Sequence, residues 1–203
     1  MKVVLFTQRV ECVERYNERR DCTDQRIAEF ISGADFLPIP IPNNAKIVEN
    51  MVKELKPAGI ILTGGNSLTK YGGNAPERDR VDEKVIEMGV VQKIPIYGFC
   101  RGMQSILDYF GNQLENVTGH VAVRHVVNGD INRNVNSYHN QACVKLKEEC
   151  GLVCMARAVD GVIEAVRHNI YPIMATMWHP ERENGYDPED IQMLKNLMCE
   201  EKR

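Results

Sequence analysis

The chain has 203 residues, 43% of them apolar and 26% charged, and a formal net charge of −3. That length suits one α/β domain, taken as residues 1–203, and the balance of residue types is that of an ordinary globular protein. A weakly acidic chain with a pI near 6.0 offers no basic field for a nucleic-acid polymer, and no apolar run approaches the ~18–20 residues that a membrane-spanning helix needs.

Met1-Lys2-Val3-Val4-Leu5-Phe6 is too short an apolar run for a signal peptide and reads as a first buried strand, Lys2 to Phe6. Seven cysteines, Cys12, Cys22, Cys100, Cys143, Cys150, Cys154 and Cys199, are scattered irregularly behind it. An odd number without a leader points to reduced thiols and a cytoplasmic location. Cys150 and Cys154 are the only close pair, and with no second Cys or His pair beside them they do not make a zinc site. Tyr16, Ile27, Phe30 and Ile31 carry helical spacing, so Tyr16 to Ile31 is expected to be a helix. Its charge cluster Glu18-Arg19-Arg20-Asp21 is either a solvated face or, through Arg9, Arg19 or Arg20, a receiver for an anionic substrate.

Three prolines on alternate positions in Phe36-Leu37-Pro38-Ile39-Pro40-Ile41-Pro42 exclude a helix and place this segment near a sheet edge. Asn43 or Asn44 caps a helix to about Leu55. Gly59-Ile60-Ile61-Leu62 reads as a buried strand ending in Thr63-Gly64-Gly65-Asn66-Ser67, a turn that is either a plain βα connection or a set of free N–H groups for a ligand oxygen. Glu77 to Met88 is an amphipathic helix. Ile94 to Phe99 is a strand, Arg101 to Phe110 a helix, and Gly111 its C-cap. This alternation implies a right-handed, doubly wound, mostly parallel sheet with helices on both faces.

The second half changes to a smaller antiparallel β excursion. Val121 to Val127, Cys154 to Val159, Val162 to Val166 and Ile173 to Met177 read as strands, with an Asp160-Gly161 hairpin turn. Asn136-Ser137-Tyr138-His139-Asn140-Gln141 reads as a polar loop, and Pro188 to about Cys199 as a terminal helix.

Between the strand and helix at the centre lies Gly98-Phe99-Cys100-Arg101-Gly102, the cysteine counterpart of the Gly-x-Ser-x-Gly nucleophile elbow. Glycine at both ends suits a turn too tight for side chains there, and the positive end of the following helix favours a thiolate. A buried cysteine in an ordinary strand–helix loop would carry the same letters. A thiolate nucleophile needs a base, and the base an orienter. Among His120, His125, His139, His168 and His179, the best candidate is His179, which ends an apolar strand and has a carboxylate, Glu181, two residues on across a stiffening Pro180. An ordinary strand-end turn is the competing reading of His-Pro-Glu alone. Its occurrence with the elbow and the Gly-Gly turn, in this order, favours catalysis. Nucleophile, base and oxyanion donors then all come from the chain, so no cofactor and no metal is expected.

Thr63-Gly64-Gly65, Tyr97-Gly98-Phe99-Cys100-Arg101-Gly102-Met103-Gln104 and Trp178-His179-Pro180-Glu181 together resemble the three signature blocks of class I glutamine amidotransferases, over most of the chain from about Leu55 onward. The resemblance implies a flavodoxin-like core, Cys100 as nucleophile, His179 as general base and acid, and Glu181 as orienter. It implies an oxyanion hole from the N–H groups of Gly65 and Arg101. It implies that Gln104 holds the γ-glutamyl head group and that the backbone and side chains of Ser137, Tyr138 and His139 line its pocket.

No synthase domain accompanies these blocks, so the resemblance leaves open a glutaminase subunit docked on a separate synthase or an independent hydrolase of a small γ-glutamyl substrate. Cys-Arg-Gly-Met-Gln, Asn-Ser-x-His and Trp-His-Pro-Glu look more like the γ-glutamyl-γ-aminobutyrate hydrolase branch. Gln8-Arg9, Tyr16 to Asp21 and Gly119-His120-Val121 look like a smaller group encoded with capsule-modification enzymes, which includes γ-glutamyl-CDP-amidate hydrolase. A diphosphate-bearing leaving group would give Arg9, Arg19, Arg20 and the Arg101 side chain a task. A non-catalytic binding protein on the same fold is the remaining alternative, disfavoured by the intact Cys100, His179 and Glu181.

Overall fold

The computed structural model describes residues 1–199; the last four residues of the expected domain lie outside that range. The elements are, in chain order, β1 (Lys2–Phe6), β2 (Arg9–Val13), β3 (Glu18–Cys22), α1 (Gln25–Gly33), β4 (Phe36–Pro40), α2 (Ala45–Leu55), β5 (Gly59–Leu62), α3 (Pro76–Gln92), β6 (Ile96–Phe99), α4 (Arg101–Tyr109), β7 (Glu115–Asn116), β8 (Val121–Gly129), β9 (Arg133–Tyr138), β10 (Gln141–Ala142), β11 (Leu152–Ala158), β12 (Ile163–His168), β13 (Ile173–Thr176) and α5 (Pro188–Cys199).

A nine-stranded sheet in the order β4-β1-β5-β6-β13-β12-β11-β8-β9 forms the frame. From β4 to β13 every pairing is parallel; from β13 to β9 every pairing is antiparallel. The antiparallel part is therefore a continuation of the same sheet, larger than the excursion expected. Proline-rich β4 lies at the edge, where missing N–H donors cost no ladder bonds.

Strand alternation sends side chains to two separate cores. Leu5, Ile60, Leu62 and Ile96 pack with Val48 and Val52 of α2, Val81 and Val85 of α3 and Ile106 of α4. Val4, Phe6, Ile61, Tyr97 and Phe99 pack with Ile27, Phe30 and Ile31 of α1 and Leu194 and Met198 of α5. Helices thus cover both faces. Asn44 caps α2 by accepting from the Ile47 N–H at 3.1 Å, and Gly111 follows α4 at φ +79°.

Two expectations fail. Tyr16 to Ile31 is not one helix: β2 and β3 form a two-stranded hairpin, and the helix begins only at Gln25, capped by Asp24. Glu18-Arg19-Arg20-Asp21 pairs across to Val13-Cys12-Glu11-Val10, so its charges alternate between two faces of a ribbon. Helical spacing at Tyr16 was coincidental. Asn136 to Tyr138 is not a loop but the end of β9, where the Asn136 and Ser137 side chains are buried because they bond other parts of the chain.

Candidate active site

The register of the central strands sets the site. Leu62 of β5 lies beside Gly98 of β6, and Phe99 of β6 beside Thr176 of β13. The segments leaving these three neighbouring strands carry Gly64-Gly65, Cys100 and His179, so three distant stretches emerge at one carboxyl edge. Ligands of such sheets bind at that edge.

Cys100 sits at φ 51°, ψ −110°, a positive-φ backbone that a residue with a side chain rarely adopts. Its N–H is held by the Thr176 carbonyl at 2.8 Å, and α4 starts at the next residue. The flanking glycines are sterically required. A Cβ on Gly102 would lie 2.0 Å from the Leu62 carbonyl oxygen, and one on Gly98 2.8 Å from the Gly102 carbonyl carbon.

His179 is buried and bonded through Nδ1 to Glu181 Oε1 at 2.7 Å. Burial pushes its pKa down, but Cys100 and Glu181 push harder in the other direction, to about 10. The imidazole is therefore held as a cation beside the sulfur at neutral pH. A Cβ on Gly64 would lie 2.7 Å from His179 Cε1, so only glycine lets the ring approach this loop. Phe99 and Tyr138 each meet the ring edge-on with centroids 5.6 Å away.

Sequence reasoning missed two residues that hold this arrangement. Asn136 accepts from the His179 N–H at 2.9 Å and donates to the His179 carbonyl at 2.8 Å, fixing its backbone from both sides. Arg78, fully buried at the start of α3, donates to the carbonyl oxygens of Thr63, Gly64 and Gly65 at 2.7–2.8 Å. Burial and the nearby Arg101 charge lower its pKa to about 9, which leaves it charged at neutral pH. With its carbonyls turned toward Arg78, the loop's N–H groups are free for the cleft side. Gly65 sits at φ +87°, the conformation this turn needs. The only sequence signal for Arg78 was an arginine in the first turn of a helix, where an acid would be usual.

The other expected site residues divide. Gln104 is buried one turn after Cys100, with its Nε2 donating to the Gln141 carbonyl at 2.8 Å. Tyr138 projects beside His179, and the Arg182 guanidinium lies over the Tyr138 ring at 4.2 Å. Ser137 and His139 turn the other way: Ser137 Oγ donates to the His120 carbonyl, and the His139 ring is buried against Glu164. Their side chains do not line the pocket beside His179, as the resemblance implied, because alternate residues of a strand face opposite sides. The Arg101 side chain is 1% exposed and bonded to Asp79, Asp82 and Ser105. It cannot reach a leaving group; only its N–H, at the N-terminus of α4, remains for an oxyanion.

The three hairpin arginines also separate. Arg9 lines a cleft of about 80 Å³ with Cys22, Thr23, Gly64, Gly65, His179 and Arg182. It is half-exposed and paired to Glu11. Arg20 shares that hairpin face, farther out, paired to Glu18. Arg19 is on the other face, where it bonds Glu77 and the Asn74 carbonyl and ties the hairpin to the loop before α3.

Comparisons with known proteins bear on the family and the fold. Residues 25–200 match the family model "Glutamine amidotransferase class-I". The chain is 36% identical over 193 residues to gamma-glutamyl-CDP-amidate hydrolase of Campylobacter jejuni subsp. jejuni serotype O:2, covering 94% of both. It is 26% identical over 195 residues to anthranilate synthase component 2 of Methanothermobacter marburgensis, covering 92% of this chain and 95% of that one. Among solved structures it resembles a putative GMP synthase subunit from Thermoplasma acidophilum, with a TM-score of 0.73 at 18% identity, over 98% of this chain and 93% of that one. By its sequence match and its fold, the chain belongs to the class-I glutamine amidotransferase family.

Proposed function

We propose that this protein hydrolyses a γ-glutamyl amide bond through a Cys100 thioester and releases glutamate. The observation that carries the reading is the buried His179, bonded to Glu181 at 2.7 Å and delivered by β13 to the same sheet edge as the Cys100 elbow. The Cys100 thiolate attacks the γ-amide carbon, aided by the positive end of α4. The N–H groups of Gly65 and Arg101 receive the oxyanion, each worth roughly 3 kcal/mol in comparable sites. His179 gives its proton to the departing nitrogen, and the C–N bond breaks as the thioester forms. Neutral His179 then takes a proton from water, which attacks the thioester and frees glutamate. Gln104 and the backbone at Ser137-Tyr138 hold the glutamyl group. Every step uses groups of the chain.

The leaving group we assign is a nucleotide amidate of the γ-glutamyl-CDP-amidate kind, which would yield cytidine diphosphoramidate for modifying a capsular polysaccharide in the cytoplasm. The relative at 36% identity over 94% of both chains supports this. So does the placement of Arg9 and Arg182 at the cleft beside His179, where a diphosphate would need cations. A glutaminase subunit feeding a separate synthase is the second reading, favoured by the full-length similarity to a synthase component; a γ-glutamyl-γ-aminobutyrate-type hydrolase would share the same catalytic steps. Glutamate release from glutamine, from simple γ-glutamyl amines and from γ-glutamyl-CDP-amidate, with Cys100→Ala as control, decides among them. We expect turnover of the nucleotide amidate far above glutamine; efficient glutamine turnover without the conjugate would sink this assignment.

A further inference from the structure

Outside the catalytic edge, the antiparallel half of the sheet holds a second cluster of chemistry-bearing side chains. Glu164 of β12 is fully buried, and three imidazoles converge on one of its oxygens. His120 Nδ1 lies 3.3 Å from Glu164 Oε1, His125 Nε2 3.4 Å and His139 Nε2 3.3 Å. His120, His125 and Glu164 present their atoms within 4.8 Å of one another. His120 and His139 are buried as well, and the His125 side chain is 18% exposed.

None of these approaches has hydrogen-bond geometry. His120 Nδ1, His125 Nε2, both nitrogens of His139 and both oxygens of Glu164 are buried without a hydrogen-bonding partner among the described residues. Buried polar atoms are normally paired, and leaving even one unpaired costs about 1–3 kcal/mol. So many orphaned donors and acceptors around one point need a common partner. The His120 and His125 nitrogens stand 3.3–3.4 Å from Glu164 Oε1 and within 4.8 Å of each other, a spread that ligand atoms on one ion can close. Ligands at about 2.0–2.1 Å from a tetrahedral zinc ion stand about 3.3–3.4 Å apart.

We propose that His120, His125 and Glu164 bind a zinc ion. Two imidazoles and one carboxylate are a borderline-soft donor set suited to that metal. The outer shell is present too: His120 Nε2 lies 2.7 Å from Asp160 Oδ2, in the hairpin turn before β12. A carboxylate on the far nitrogen fixes the tautomer that leaves Nδ1 free to ligate. Three protein ligands leave a fourth position, beside which His139 Nε2 stands 3.3 Å from Glu164 Oε1. The ion would join the residue before β8 and the middle of β8 to the start of β12. His139 packs against the same carboxylate and directly follows Tyr138, so the ion would steady the strand end that delivers Tyr138 to His179.

The test uses the whole protein and zinc alone. Elemental analysis of protein purified without chelator should give about one zinc per chain. Glu164→Gln and His125→Ala should each lower that to under about a tenth, while the Cys150→Ser, Cys154→Ser double variant keeps it. Chelator treatment should lower Tm by roughly 5–10 °C, restored by added Zn²⁺. If the Glu164 variant does not fold, the wild type decides through cobalt substitution: four-coordinate d–d bands without thiolate-to-cobalt charge transfer support the site. Charge-transfer bands, or zinc lost from the cysteine double variant, would place the metal on sulfur and overturn the proposal. No bound zinc together with no Tm response to Zn²⁺ would overturn it outright.

Discussion

Arg78 Nη1 donates a 2.8 Å hydrogen bond to the carbonyl oxygen of Gly65, the residue whose N–H is assigned to the oxyanion. The same guanidinium also holds the carbonyls of Thr63 and Gly64. A fixed fork of donors is turned toward three successive acceptors, and lysine cannot reproduce it. Arg78→Lys is expected to lower kcat by about 10²-fold, the cost of misplacing one oxyanion donor. A folded Arg78→Lys protein, checked by circular dichroism, with unchanged kcat would show that the loop orients itself.

The charge of His179 depends on its two neighbours, Cys100 and Glu181. Burial lowers the His179 pKa, yet Cys100 and Glu181 raise it to about 10, above the usual ~6.5 for histidine. A folded pKa above the unfolded value means that the stabilisation is fully present below pH ~6.5 and is lost as pH rises through about 10. Carbon-detected NMR of the imidazole should therefore find no titration between pH 6 and 8 in the free enzyme. Cys100→Ala removes the leading source of the rise, so its His179 should titrate at lower pH. An imidazole that titrates alike in both proteins would show that Cys100 does not raise its pKa.

Gly64→Ala and Gly102→Ala should differ in kind. The Gly64 Cβ would strike His179 Cε1 at 2.7 Å, a ring that can move, so kcat should fall about 10²-fold with a small change in Tm. The Gly102 Cβ would strike the Leu62 carbonyl at 2.0 Å, which is backbone of a central strand. Its cost should appear as a loss of roughly 3 kcal/mol or more in urea unfolding. Equal Tm losses in the two variants would contradict this division.

Arg9 and Arg182 flank His179 from β2 and from the turn after Glu181. Arg9→Ala and Arg182→Ala should raise KM for a nucleotide conjugate about tenfold or more while leaving glutamine hydrolysis nearly unchanged. Arg19 bonds Glu77 and Asn74, so Arg19→Ala should act on hairpin order and affect both substrates alike. If all three variants discriminate equally between substrates, the leaving group does not contact the cleft through Arg9 and Arg182.

Asn136 holds the His179 backbone by two hydrogen bonds and reaches Glu183 as well. Asn136→Asp keeps the acceptor but loses the donor and brings a charge near Glu183. We expect kcat to fall by about 10- to 100-fold through the base, with KM little changed. A change confined to KM would instead place Asn136 in substrate binding.

Much of this site was legible before any coordinates. Cys100 stands in an elbow whose glycines are spaced by a local steric demand, and His179 and Glu181 are two residues apart, so their contact needs only a strand end and a turn. Alternating strands and helices likewise announced the parallel half of the sheet, because each element's apolar period reports its own buried face. Short-range physics writes such features into adjacent letters. The remaining features depend on side chains far apart in sequence. Arg78 reads as a surface arginine until α3 packs it against Thr63 to Gly65. Arg9, Arg19 and Arg20 are equivalent as letters, and only the β2–β3 register turns Arg9 to the cleft and Arg19 away. His120, His125, His139 and Glu164 follow no spacing rule, and β8, β9 and β12 bring them together through long-range strand pairing. Local chemistry singled out the candidate nucleophile and base; which polar side chains share a buried point was decided by register across the sheet, since a single-residue shift sends every side chain of a strand to the opposite face.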